Sequence, residues 1–213
     1  MNKVIKDIDQ ALKHYPFLKR VDENGFVRVI GEIVLIHPVK GEFDRYKVSI
    51  SFPQVYPKCF PQVIETSKKI PRKDYRHVNT DGTLCLAVEP EEKGIVKNGI
   101  SFTFFLDRVL VPHLSRETFC ELNNGYEDGE YSHGIDGFWE YFEGILLTSD
   151  RAEILAELEK IIYSKWQKRN EMCYCNSGIK FKRCHLERWN KIMTSGSNYL
   201  VNMLELLRKN INT

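Results

Sequence analysis

Phe26-Val27-Arg28-Val29-Ile30-Gly31-Glu32-Ile33-Val34-Leu35-Ile36 is followed by His37-Pro38-Val39-Lys40-Gly41 and then by Tyr46-Lys47-Val48-Ser49-Ile50-Ser51-Phe52. The first run is β-branched and apolar, which predicts a mostly buried strand, and the Pro and Gly of the link end it. The second run alternates apolar residues with Lys and Ser, the period-two pattern of a strand with one wet face. Residues 62–67 predict a third strand after the corner Tyr56-Pro57-Lys58-Cys59-Phe60-Pro61, and Asp22-Glu23-Asn24-Gly25 marks a turn before the first. Upstream, Val4, Ile5, Ile8, Leu12 and Tyr15 recur at helical spacing with lysines between them. Helix, hairpin, hairpin is the order of an antiparallel meander, and the fold class is α+β.

Downstream, residues 70–99 predict a long irregular stretch containing the turn Thr80-Asp81-Gly82, and such stretches in compact domains usually carry function. Helical patterns return at 102–114 and 138–167, with a Gly- and Asp-rich loop at 123–137 between them. Trp139, Tyr141 and Phe142 read as helix packing rather than as a substrate platform. A last amphipathic helix is predicted at 198–211, carrying Leu200, Met203, Leu204, Leu206 and Leu207.

The 213 residues are 42% hydrophobic and 28% charged, an ordinary globular composition that excludes disorder and fibrous repeats. A chain of this length buries roughly 70% of its unfolded surface, enough for one core and a small appendage. The longest apolar run, Leu84-Cys85-Leu86-Ala87-Val88, is far shorter than a membrane span. The opening Met1-Asn2-Lys3-Val4-Ile5-Lys6-Asp7 has no apolar signal core, so a cytoplasmic location is expected, with the six cysteines as thiols, ligands or nucleophiles. The net charge of +2 hides an asymmetry. Residues 117–150 hold nine acidic side chains and no Lys or Arg, whereas 165–191 hold eight basic against two acidic.

That basic segment contains Cys173-Tyr174-Cys175 and, after eight intervening residues, Cys184-His185. Three thiolates and an imidazole at this spacing make a tetrahedral Cys₃His site for Zn²⁺, and four protein ligands leave no position open for catalysis, so the zinc is structural. Asn176-Ser177-Gly178 supplies the turn, and Phe181 is placed to cover the metal. The stretch resembles the SEC-C zinc motif, which implies a small docking or structural module. Aromatic residues are too sparsely interleaved with its cations for nucleic acid to be an expected partner.

Three cysteines remain. Cys59 lies in the proline corner and Cys120 at a helix end, whereas Cys85 lies in the irregular stretch, with Asn79 six and His77 eight residues upstream. A thiolate is nucleophilic near neutral pH, and a nearby Asn amide can donate to the oxyanion formed when it attacks a carbonyl. By spacing alone, Leu84-Cys85-Leu86 reads equally as small hydrophobic packing.

Tyr56-Pro57 through Pro61, His77-Val78-Asn79 and Gly82-Thr83-Leu84-Cys85-Leu86 together resemble the ubiquitin-conjugating (E2) enzymes, whose core passes from a YPxxP corner through HPN to a GxCL site. The resemblance covers about residues 1–115, with looser similarity to bacterial E2-like proteins through His133-Gly134. It implies an E2 (UBC)-like domain at 1–165, a meander sheet flanked by helices, followed by a SEC-C-like zinc module and terminal helix at 166–213. Cys85 becomes the thioester-forming residue, Asn79 the oxyanion or loop-stabilising amide, and His77 the brace of the loop. Two departures are visible: Val78 stands where eukaryotic members have Pro, and the Asn-to-Cys spacing is shorter than theirs.

The activity implied is transfer of a ubiquitin-like or otherwise activated protein C-terminus from Cys85 to an amine on a protein target, in a bacterial conjugation or antiphage-defence setting. The chain has no Walker loop, dinucleotide fingerprint or HExxH, so an E1-like activating partner is implied. His133 is a candidate for deprotonating the amine, against the reading of a loop histidine bonded to backbone. Glu127, Asp128 and Glu130 are candidates for orienting an incoming lysine. Two rivals are a non-catalytic E2-shaped scaffold and a Cys-His thiol hydrolase.

Overall fold

The structure is a computed structural model that describes residues 2–23, 25–126, 131–164 and 167–211. It divides into two compact units, Met1–Ala87 with Asn98–Glu130, and Val88–Lys97 with Tyr131–Thr213. The division differs from the expected boundary at 165/166, which lies inside the second unit.

In the first unit, α1 (Asn2–Leu12) precedes β1 (Leu18–Glu23), β2 (Phe26–His37), β3 (Gly41–Ser51) and β4 (Gln62–Glu65). The strands form one antiparallel sheet in the order β1-β2-β3-β4, the meander expected from the order of the elements. Register places Val29 opposite Ile50 and Ile33 opposite Tyr46, all four buried, while Arg45 and Lys47 on either side of Tyr46 are exposed. Burying each Val or Ile of that face contributes about 1.5–3 kcal/mol. β2 differs from the expected mostly buried strand: Val29, Ile33 and Leu35 face the core, Ile30 and Val34 are half-buried, and Ile36 is exposed. One face of the strand is buried and the other partly covered, so an apolar run does not mean two fully buried faces.

β1 was not legible beforehand. Leu18 is its one buried residue, and its ladder against β2 is carried by backbone groups that sequence does not distinguish. Where the chain enters this strand, the carbonyl of Phe17 accepts from Glu32 N–H at 3.0 Å, and a Cβ on Gly31 would sit 2.0 Å from that oxygen. With φ at +140°, only glycine fits there.

After the site-bearing segment, α3 (Phe102–Phe105) continues through a π turn at Leu106–Leu110 into α4 (Val111–Asn123), well past the helix end expected at 114. Asp7 joins α1 to this layer, accepting from Phe102 N–H at 2.7 Å and from Tyr56 hydroxyl at 3.1 Å.

The second unit is helical: α2 (Glu89–Val96), α5 (Ile135–Leu146), α6 (Arg151–Tyr163), α7 (Leu186–Met193) and α8 (Ser197–Lys209). α2 corrects the expectation of irregular backbone through residue 99. Pro90 sits in its first turn, where no intrahelical N–H is needed, and Glu89, Glu91 and Glu92 complement the helix N-terminus. The single helix expected at 138–167 is two. Leu147 ends α5 in the left-handed conformation, and Asp150 caps α6 by accepting from the N–H groups of Ala152 and Glu153. Trp139, Phe142, Ile154, Leu158, Leu204 and Leu207 build the core of this unit, so Trp139 and Phe142 pack as expected. No described helix is long and apolar enough to cross a membrane.

Candidate functional site

Cys85 closes a tight hairpin. Asp74–Arg76 make one 3₁₀ turn, His77 leaves it in the left-handed region (φ 48°, ψ 41°), and Val78 then pairs with Leu84. Across the loop, Cys85 N–H donates to the His77 carbonyl at 2.7 Å and Asn79 N–H to the Thr83 carbonyl at 2.8 Å. Leu84 N–H donates to the Val63 carbonyl at 2.8 Å, and Thr83 pairs with Ile64, so the hairpin extends the sheet edge at β4.

The turn residues work locally. Asp81 accepts from Thr83 N–H at 2.9 Å and from its hydroxyl at 2.6 Å, and Gly82 turns with φ +86°. The bond to the Thr83 hydroxyl and then that to its N–H hold the Asp81 carboxyl below its ordinary pKa. The side-chain amide of Asn79 donates to the Thr83 hydroxyl at 3.0 Å, which places it inside the turn. Cys85 is half-buried, and its thiol is 4.0 Å from the Ala87 carbonyl.

Behind the hairpin lies an ionic support that the sequence did not announce. Arg76, immediately before His77, donates from Nε to Glu117 on α4 at 3.0 Å and from Nη1 to Glu121 at 2.9 Å. The side chains of Arg76 and Glu117 are 5% and 1% exposed, and the Tyr126 hydroxyl donates to the same Glu117 carboxylate. Burial disfavours the Arg76 charge, but the two glutamates more than offset it and raise its pKa. His77 is buried, edge-on to the Tyr126 ring at 6.1 Å between centroids. Also on α4, His113 has its Nε2 sealed from solvent and without a hydrogen-bond partner, though part of the residue reaches solvent. Burial, reinforced by the nearby His77 and Arg116, lowers its pKa to about 3.

Cys85, His77 and Asn79 thus belong to one hairpin of the first unit. His133 belongs to the second unit, exposed in the bend before α5. Glu127, Asp128 and Glu130 lie outside the described residues. A cavity of about 490 Å³ is lined by Val78, Gly82 and Leu84 of the hairpin with Glu65, Lys68 and Arg72.

The second cluster is the metal-ligand set. Cys173 N–H donates to the Ile179 carbonyl at 2.9 Å, and Met172 pairs with Lys180, so residues 172–180 form a knuckle. Asn176 and Gly178 turn it with positive φ. A 3₁₀ turn at Phe181–Arg183 then brings Cys184 and His185 back to the two cysteines.

The ligand atoms of Cys173, Cys175, Cys184 and His185 all lie within 4.8 Å of one another. His185 Nδ1 is 3.0 Å from Cys184 Sγ and 3.2 Å from Cys173 Sγ, and the Cys175 and Cys184 sulfurs are 3.5 Å apart. A zinc tetrahedron with Zn–S of about 2.3 Å and Zn–N of about 2.0 Å has edges of about 3.5–3.8 Å, close to this arrangement.

Phe181 and Leu186 are buried against Cys173, which limits water at the site. The Ser177 hydroxyl, first among its causes, lowers the Cys175 pKa to about 7, while burial pushes Cys173 up to about 11. The set can hold a metal such as zinc. A family model of the SEC-C motif matches residues 169–187, which include all four ligands. No curated protein matches the chain.

Proposed function

We propose that this protein is an E2-like conjugating enzyme that carries an activated, ubiquitin-like protein C-terminus as a thioester on Cys85, with a structural Zn²⁺ held by Cys173, Cys175, Cys184 and His185. The observation that carries the reading is the setting of Cys85. It lies at the foot of a turn-closed hairpin, hydrogen-bonded to His77 and half-buried, on the edge of a meander preceded by a helix. The Cys85 thiolate attacks the carbonyl carbon of the activated C-terminus and the donor thiol leaves. An amine on the target protein then attacks the thioester and Cys85 departs as thiolate. An E1-like enzyme, or another source of an activated C-terminus, supplies the energy. The bacterial conjugation or defence setting belongs to the same proposal.

In this reading Asn79 braces the loop, its side-chain amide donating to the Thr83 hydroxyl. That engagement also supports a second reading, a non-catalytic E2-shaped scaffold, which needs no oxyanion donor. The two separate on a non-reducing gel of the protein expressed with its neighbouring genes, wild type beside Cys85→Ala. The proposal expects a heavier band that thiol reductant removes and the variant lacks, with mass spectrometry naming the cargo. Absence of the adduct in the wild type favours the scaffold.

A further inference from the structure

Glu157 lies on α6, outside the matched motif, yet reaches the metal-ligand set. Its Oε1 is 3.4 Å from His185 Nε2 and accepts from the Tyr174 hydroxyl at 2.5 Å. Its Oε2 is 3.4 Å from Lys160 Nζ. The side chains of His185 and Glu157 are only 16% and 17% exposed, so water competes poorly for either. The opposite ring nitrogen of His185, Nδ1, is the one among the sulfurs.

A metal-bound imidazole is neutral, with its one proton on the nitrogen that faces away from the metal, and the partner of that proton sets tautomer and ring angle. With Nδ1 turned to the sulfurs, the proton belongs on Nε2, and the acceptor facing it is Glu157. Tyr174, between two of the cysteines, reaches the same carboxylate, so one acidic side chain holds both a ligand and the knuckle's backbone.

We propose that Glu157 is a positioning residue of the metal centre, holding His185 in the Nε2–H tautomer with Nδ1 aimed at the ion and fastening the knuckle to α6 through Tyr174. The SEC-C segment and α6 are then one metal-binding unit, and the motif alone is an incomplete site. This inference rests on the metal site and is independent of the thioester chemistry proposed for Cys85.

The test is zinc affinity of the full chain by competition with a chromophoric chelator. Glu157→Ala is expected to weaken zinc by about 10–100-fold, as loss of such a partner usually does. Glu157→Gln, which keeps an acceptor oxygen without the charge, is expected to recover part of that loss. In a His185→Cys background there is no imidazole to orient, so Glu157→Ala is expected to change affinity by no more than about twofold. Equal losses in both backgrounds, or no loss in the native one, overturn the proposal.

Should the His185→Cys chain fail to fold, nitrogen-detected NMR of the zinc-loaded native and Glu157→Ala chains decides instead. The His185 Nε2 proton is expected to exchange with water faster in the variant, and unchanged exchange overturns the proposal.

Discussion

The backbone N–H of Cys85 and the carbonyl of His77 are joined by a 2.7 Å hydrogen bond, which closes the nine-residue hairpin at its foot. His77 is held in turn by its neighbour Arg76, whose side chain is pinned to α4. Position at Cys85 therefore depends on the turn at one end of the hairpin and on a buried ion pair at the other.

At the turn, Asn79→Ala removes the bond from the Asn79 amide to the Thr83 hydroxyl, and Thr83→Val removes that bond together with the one from the hydroxyl to Asp81. Each is expected to lower stability by about 0.5–1.5 kcal/mol in urea denaturation, with the double variant costing less than the sum. If Asn79 were an oxyanion donor, Asn79→Ala alone would abolish thioester formation. Modest effects of both substitutions on adduct yield, with Thr83→Val at least as large as Asn79→Ala, are the expected outcome.

Glu117→Ala leaves the buried Arg76 guanidinium with the Glu121 carboxylate and the residue-117 carbonyl to meet it. Removing one partner of a buried pair typically costs about 3–5 kcal/mol, and the lower end applies because Glu121 remains. Arg76→Leu with Glu117→Leu is expected to recover much of the loss, as measured by the denaturant midpoint at constant slope.

His113 gives the first unit a pH dependence. Its ordinary value of 6.5 falls to about 3 in the fold because burial opposes the charged ring. Below pH 6.5 the unfolded chain takes up a proton that the folded chain refuses, so this contribution is complete above 6.5 and is lost as pH falls toward 3. At pH 5.5 the loss is about 1.4 kcal/mol. Unfolding at pH 7.5 and 5.5 is expected to show that difference in the wild type and to lack it in His113→Leu.

Cys173→Ser, or a strong chelator, is expected to release zinc and lower the melting temperature of the helical unit, because Phe181 and Leu186 are packed on that cysteine. The rate of Cys85 alkylation is expected to stay unchanged, since Cys85 belongs to the other unit. A matching change in Cys85 reactivity would show that the two units are not independent.

Much of this was legible in the chain. Alternation at 46–52 set which face of β3 is buried, since strand side chains alternate strictly, and the meander followed from the order of its turns. The metal ligands were equally plain, because a knuckle brings residues close in sequence close in space, and Cys173, Cys175, Cys184 and His185 do converge.

Tertiary structure alone decided the rest. β1 and α2 have weak periodicity: β1 exists because β2 completes its hydrogen bonds, and α2 because packing covers Pro90 and Val96. The supports of the two sites, Glu117 for Arg76 and Glu157 for His185, stand 41 and 28 residues away in the chain on helices whose surface charges look alike. A carboxylate acquires a role through the partner that faces it in a water-poor place, and that pairing is made by packing rather than by local sequence.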